Sequence, residues 1–349
     1  GIPDAINFSV ILDRCEGTVE FQYVNTGSWG ADSLSIIGME ADSNGTPGVG
    51  PGSVVLNRMG YPMKTRPQDQ SCVKFYPRNG DIVRDGWNMV AVSVIPNDGD
   101  YSAKNMFPDG VLGYWFPIDS VHPGLGYWTK TVASGPRAAP GIFFDSVRIP
   151  VVDKWIMIGG TSLYRPVSDL VPVETQIVSR IWGFGASGYY PTSVLRPGEG
   201  YWVKVAGSGT LELHPSAAAP KVFSDNTLQV FQGLTTLKIG DALGRSQMLY
   251  IGEGSRSPEY LQKFELPPLP PGDAFDARFA SGTMLETYEA RDPIDTLANY
   301  PIIIRGAVSP VTIRWDVADA TITGRELVLE ILHDAVTARY MMDKPGTAS

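Results

Sequence analysis

The chain has 349 residues, 43% of them hydrophobic, with 38 Gly and 28 Pro. That length exceeds one ordinary core, and so many turn formers without a strict period exclude collagen and point to many short strands joined by tight turns. With 28 Lys and Arg against 37 Asp and Glu the net charge is −9, no basic cluster is present to neutralise a phosphate backbone, and no run of about 18 apolar residues is present to span a membrane, so nucleic acid and a membrane span are both set aside.

Taken in chain order, Ile6, Phe8 and Val10 alternate with other residues within a few positions of Gly1, so the chain reads as a section of a longer precursor. Strands are expected over Asn7–Leu12, Thr18–Val24 and Ser33–Met39, then a loop over Asp42–Gly52 and a returning strand over Ser53–Asn57. Residues 1–80 form a partial β-sandwich on this reading. Cys15 and Cys72 fall here. A disulfide outside the cell and two buried thiols both fit, and neither cysteine lies in a CxxC or beside a histidine, which argues against redox or nucleophilic work.

The next stretch is duplicated. Pro123-Gly-Leu-Gly-Tyr-Trp-Thr-Lys130 is answered by Pro197-Gly-Glu-Gly-Tyr-Trp-Val-Lys204, and Asp85-Gly-Trp-Asn-Met-Val90 by Asp153-Lys-Trp-Ile-Met-Ile158. Trp87 to Trp155 spans 68 positions and Trp128 to Trp202 spans 74. Leu112-Gly-Tyr114 matches Trp182-Gly-Phe184, and the extra residues of the second copy fall near Ala186–Tyr190, where a loop is expected. Two copies of one β-rich unit, over 81–150 and 151–217, explain these matches. In each, the Pro-Gly turn reverses the chain and the second Gly frees the backbone at the strand entrance. One short segment per copy, Ser102–Phe107 and Val167–Val173, suits at most a turn or two of helix.

Ser216-Ala-Ala-Ala-Pro220 reads as a linker to a third module over 218–349. Strands are expected near Leu228–Phe231 and over Thr236–Ile239, Met248–Ile251, Phe275–Phe279, Tyr300–Arg305, Val311–Val317 and Glu326–Leu332, about seven in all. The last also fits one face of a helix, and its neighbours decide for strand. Leu266-Pro-Pro-Leu-Pro-Pro-Gly272 is expected to be an extended crossover, and the tail Asp343–Ser349 to be loose.

The Pro-rich crossover, the Phe275-Asp-Ala-Arg-Phe279 strand, Tyr300-Pro-Ile302 and Val311-Thr-Ile-Arg-Trp315 together resemble a C-terminal immunoglobulin-like module of very large secreted and cell-surface bacterial proteins, similar to the Ig-like fold of flagellar hook-capping proteins. The Gly-Tyr-Trp-Val-Lys units resemble repeats found just upstream of such modules, and residues 6–40 resemble the last half of a sandwich domain that often precedes them. The chain departs from that pattern in lacking the start of the first sandwich and an evident final strand and sorting tail. The resemblance implies an all-β chain of tandem sandwich or Ig-like modules flanking two small repeats, extracellular or at the cell surface, without catalytic activity.

Chemistry is sparse. His122, His214 and His333 accompany no Gly-x-Ser-x-Gly elbow, and His333 with Asp334 would face opposite sides of a strand. No HExxH, Walker A or GxGxxG is present, so the chain is expected not to be an enzyme and to need no cofactor. Calcium is the metal to consider, at Asp42 and Asn44 or at Asn97, Asp98 and Asp100; neither loop reaches a distal Glu, and Asp, Asn and Gly are common in turns. Tyr127, Trp128, Tyr201 and Trp202 offer a candidate stacking platform for sugars, with core packing the favoured reading because the same pair recurs in both copies. The expected function is a non-catalytic structural section of a cell-surface fibre, layer or adhesive stalk, self-associating through open sheet edges. The alternative is a glycan- or ligand-binding C-terminal region of a secreted hydrolase.

Overall fold

The computed structural model describes residues 81–96, 121–132, 134–137, 141–215, 230–255, 257–288, 298–317, 327–333 and 336–349, and the strand segments 7–13, 18–25, 38–39, 54–55, 71–75 and 106–107. Strands dominate and the class is all-β. The chain divides into two compact units, Gly1–Ile82 with Pro136–Ala138, and Val83–Gly135 with Ala139–Ser349.

In the first unit β1 (Asn7–Asp13) and β2 (Thr18–Asn25) form an antiparallel hairpin in which Val10 faces Phe21 and Leu12 faces Val19. Both strands stand where alternation placed them. β3 (Ser71–Phe75), which the sequence reading missed, pairs with the other edge of β2 and sets Cys72 opposite Gln22. Of the third and fourth expected strands, Gly38–Met39 and Val54–Val55 are described, and they pair with each other. Cys15 lies outside the described residues.

The second unit begins with copy one: β4 (Gly86–Ala91), β5 (Met106–Phe107) and β6 (Gly126–Thr131), in the order β4-β6-β5. Met106–Phe107 is a strand, not the turn of helix expected there, because it pairs with Trp128 and Thr129 at the sheet's edge. Copy two comprises β7 (Val147–Val151), β8 (Trp155–Gly159), β9 (Leu170–Val173), β10 (Ile181–Gly185), β11 (Gly188–Thr192), β12 (Gly200–Ala206) and β13 (Gly209–Leu213). Of its expected helical segment only Val167–Asp169 is a 3-10 turn; the rest is β9, drawn out by pairing with β13. Residues 188–190, expected in a loop, belong to β11, and a two-residue turn at 186–187 joins it to β10.

The registers reproduce the duplication. Trp128 faces Met89 and Lys130 faces Trp87 across β6 and β4; Trp202 faces Met157 and Lys204 faces Trp155 across β12 and β8. The copies then grip each other reciprocally. The Ala91 amide donates to the Gly198 carbonyl at 2.9 Å, and the Gly159 amide to the Gly124 carbonyl at 2.7 Å. Isolated bridges join Val90 to Glu199 and Leu125 to Ile158. Both turn glycines are left-handed, Gly124 at φ 83° and Gly198 at φ 79°. Gly126 and Gly200 are glycine for a different reason from the expected backbone freedom: a Cβ on Gly126 would stand 2.7 Å from the Ile158 carbonyl oxygen, and one on Gly200 would stand 2.8 Å from that of Val90. The second Gly of Pro-Gly-x-Gly clears room for the other copy's backbone.

The C-terminal module has nine strands among the described residues: β14 (Thr235–Gly240), β15 (Ser246–Glu253), β16 (Asp276–Phe279), β17 (Leu285–Tyr288), β18 (Ile302–Arg305), β19 (Thr312–Asp316), β20 (Val328–His333), β21 (Val336–Met341) and β22 (Gly346–Ala348). Five of them form a sheet in the order β17-β15-β14-β19-β22, with β15 and β17 parallel and the other neighbours antiparallel. The segment read as strand or helix is a strand, held by its hairpin partner β21. Val230 and Phe231 form no strand; they sit in a turn ahead of β14. The tail is not loose: β22 is the final strand, pairs with β19 and buries Ala348. Its residues, Gly, Thr and Ala, carry little hydrophobic signal of their own.

One apolar core runs through copies and module. Met89, Trp128, Met157, Trp182 and Trp202 pack in the same cluster as Phe231, Leu237, Phe264, Phe279 and Trp315. A second cluster, with Ile149, Ile158, Tyr201 and Leu211, fills the far side of copy two.

Candidate functional site

The residues of the repeated motif with chemistry to offer meet the C-terminal module at two equivalent places. In copy one the Trp87 indole N–H donates to Oδ1 of Asp273 at 2.7 Å, and the Lys130 ammonium donates to Oδ2 at 2.8 Å. In copy two the Trp155 indole N–H lies 3.4 Å from Oε1 of Glu265, and Lys204 donates to both oxygens at 2.9 and 2.7 Å. Each lysine also stands over its tryptophan ring, 5.7 Å and 5.9 Å from the centroid. Strand alternation puts Lys130 on the same face as Trp128, two residues back, and the register sets it opposite Trp87. The two clasps therefore follow from the duplicated pattern.

Glu265 and Asp273 bracket the Pro-rich crossover, so the clasps hold its two ends. Its middle is held by carbonyls. Pro267 accepts from Nη1 of Arg278 at 2.9 Å, and Pro268 accepts from the Tyr189 hydroxyl of copy two at 2.8 Å. Arg278 is itself fixed by a buried bidentate pair with Asp276, both bonds 2.7 Å. The Leu266 amide donates to the Gly282 carbonyl at 2.8 Å, and beyond it the prolines, which have no N–H to donate, are anchored through these acceptors. It pairs in no strand, as its composition predicts.

Copy two makes a third join. The fully buried Gln247 side chain accepts from the Tyr189 amide at 2.8 Å and donates to the Tyr189 carbonyl at 2.9 Å, mimicking one rung of a β-ladder. Gly188 (φ 70°) precedes it, and a Cβ there would overlap the Gln247 amide oxygen.

The electrostatics match this anchoring. The bonds from Lys130 and Trp87 hold the Asp273 carboxyl below its ordinary range. Burial alone would raise Asp241, but the Arg245 guanidinium and the backbone amides of Val308 and Arg245 outweigh it and hold that carboxyl low. Burial pushes the Tyr127, Tyr189 and Tyr201 phenols up. Each hydroxyl is engaged: Tyr127 accepts from the His122 amide and Tyr201 from the Arg196 amide, both at 2.8 Å, again as equivalents in the two copies.

The candidate stacking platform is corrected. Tyr127, Trp128, Tyr201 and Trp202 are 4%, 0%, 1% and 0% exposed, so no ring face is open to a sugar. Trp128 and Trp202 stand edge-to-face on Trp87 and Trp155, each at 6.4 Å, and are core parts. The indole N–H groups of Trp128 and Trp182 are buried with no hydrogen-bond partner. The candidate calcium ligands Asp42, Asn44, Asn97, Asp98 and Asp100 lie outside the described residues, and among the described residues no three His, Cys, Asp or Glu side chains gather as a metal site. His122 and His214 are exposed and far apart in the chain, and His333 faces Val336 in its hairpin. Among the described residues no helix is long and apolar enough to cross a membrane.

Sequence reasoning missed the clasps. The signal was present in Lys130 and Lys204, which end the repeated motif at matching positions, and in the acidic residues at either end of the prolines. No protein-family model, curated protein or solved structure matches the chain.

Proposed function

We propose that the chain is a non-catalytic extracellular structural protein, a section of a cell-surface fibre, layer or adhesive stalk whose chains associate through sheet edges. The observation that supports this reading is the use made of the reactive side chains: Lys130, Lys204, Asp273 and Glu265 join the copies to the C-terminal module, Tyr189 joins copy two to the Pro-rich crossover, and Asp276 fixes Arg278 against the Pro267 carbonyl. Two edges suit association. β1 pairs on one side among the described residues and leaves Val10 46% exposed. The β20–β21 hairpin turns Val328, Leu332 and Met341 outward, with Leu332 78% exposed.

The test is sedimentation velocity and negative-stain microscopy of the purified chain across a concentration series. Association into head-to-tail filaments, weakened by Val10→Lys or Leu332→Lys, is the expected result. Monodisperse monomer at every concentration overturns the reading.

A further inference from the structure

Beside the second clasp lies an open cleft of about 300 Å³, lined by Ile177, Val178, Arg180, Glu259, Gln262 and Lys263. One wall is the stretch of copy two that leads into β10. The other is the short helix Pro258–Leu261 and the 3-10 turn Gln262–Phe264 that follow β15. Lys204 steadies both walls. Its backbone N–H donates to the Ser179 hydroxyl at 2.8 Å and its carbonyl accepts from the Val178 amide at 3.0 Å, while its side chain holds Glu265, the residue after the 3-10 turn.

Arg180 sets the chemistry. Its guanidinium stands 5.1 Å over the Phe264 ring, and its Nε is shielded from solvent without a hydrogen-bond partner. Among the described residues it has no carboxylate partner, and burial lowers its affinity for the proton. A half-buried guanidinium in that state favours an oxyanion that accepts from its fork. Lys263 adds a second cation at the rim. Glu259 on the same rim repels a simple inorganic anion but accepts hydrogen bonds from hydroxyls, as Gln262 also does. Ile177 and Val178 supply an apolar strip. Carboxylate, hydroxyls and one apolar face are the features of a sugar acid, and the volume suits a single ring.

We propose that this cleft binds a monosaccharide-sized sugar acid, with its carboxylate on Arg180 and Lys263 and its hydroxyls on Gln262 and Glu259. The site belongs to the single chain, so it stands or falls independently of any assembly through sheet edges.

Calorimetric titration of the full chain with glucuronate, glucose and acetate tests it. Glucuronate is expected to bind; glucose, which lacks the carboxylate, to bind at least about tenfold more weakly, the worth of one charge-assisted bond; and acetate, which lacks the ring and its hydroxyls, to bind more weakly as well. Arg180→Gln is expected to remove glucuronate binding. Lys263 is exposed, so Lys263→Gln leaves the fold untouched and should weaken binding several-fold even where Arg180→Gln, which also loses its packing on Phe264, fails to fold. No heat with glucuronate, equal binding of glucose, or unchanged binding by Lys263→Gln and a folded Arg180→Gln each overturns the proposal.

Discussion

The amide of Gly159 donates to the carbonyl of Gly124 at 2.7 Å, so the end of β8 in copy two is sealed by the turn of copy one. The mirror bond from Ala91 to Gly198 makes the seal reciprocal. Gly126 and Gly200 permit this approach, and alanine at either would press a methyl group against a backbone carbonyl that has no rotamer to escape through. Gly126→Ala and Gly200→Ala are each expected to cost about 2–3 kcal/mol. Urea denaturation checks this, and a loss below about 0.5 kcal/mol for both would contradict the described packing.

The two clasps share a design but differ in exposure. Side chains of Lys204 and Glu265 are 27% and 31% exposed, against 48% and 67% for Lys130 and Asp273. Screening by water therefore weakens the first-copy clasp more. Double-mutant cycles with Lys204→Met and Glu265→Gln, and with Lys130→Met and Asp273→Asn, should give coupling of about 1 kcal/mol for the former and roughly half or less for the latter. The reverse order would count against the geometry.

Gln247 stands in for a strand. Replacing it with leucine keeps the volume and strips both hydrogen bonds from the Tyr189 backbone, leaving one buried N–H and one buried C=O unmet. A loss of roughly 3 kcal/mol is expected in thermal or urea unfolding of Gln247→Leu. A near-neutral result would mean that the rung is not formed.

Asp273 carries a pH signature. Lys130 and Trp87 hold its carboxyl below the ordinary value of 3.8. A carboxyl depressed on folding contributes stability that is fully present above its unfolded pKa and is lost as pH falls through the folded one. The clasp thus adds nothing to the pH dependence near neutrality and releases below about pH 4. Stability of Asp273→Asn, measured from pH 7 down to pH 2.5, should fall less steeply in that acid window than that of the parent chain. Parallel curves would refute the linkage.

Much of this architecture was legible in the residues. Alternation located β1, β2, β14, β15 and β19, and the matched spacing of Trp87, Trp128, Trp155 and Trp202 located the duplication. The favoured core reading of Tyr-Trp also agrees with the burial of those rings. The short strands were not legible, because β5, β17 and β22 have two to four residues and are fixed by partners distant in sequence. Linear order likewise suggested modules in a row, whereas Trp128 and Trp202 share a core with Phe264 and Phe279. Complementarity between Lys204 and Glu265, 61 positions apart, is set by the fold and has no local signature.

Joined by the crossed turns and the clasps, both copies and the C-terminal module should unfold as one cooperative body. Residue-resolved hydrogen exchange tests it most directly. The amides of Ala91, Gly159 and Tyr189, each bonded across a join, should exchange only through the opening that also exposes Leu237 and Ile239 in the middle of the C-terminal sheet, with equal free energies. Exchange of those three amides at loop-like rates, while the C-terminal sheet stays protected, would contradict it.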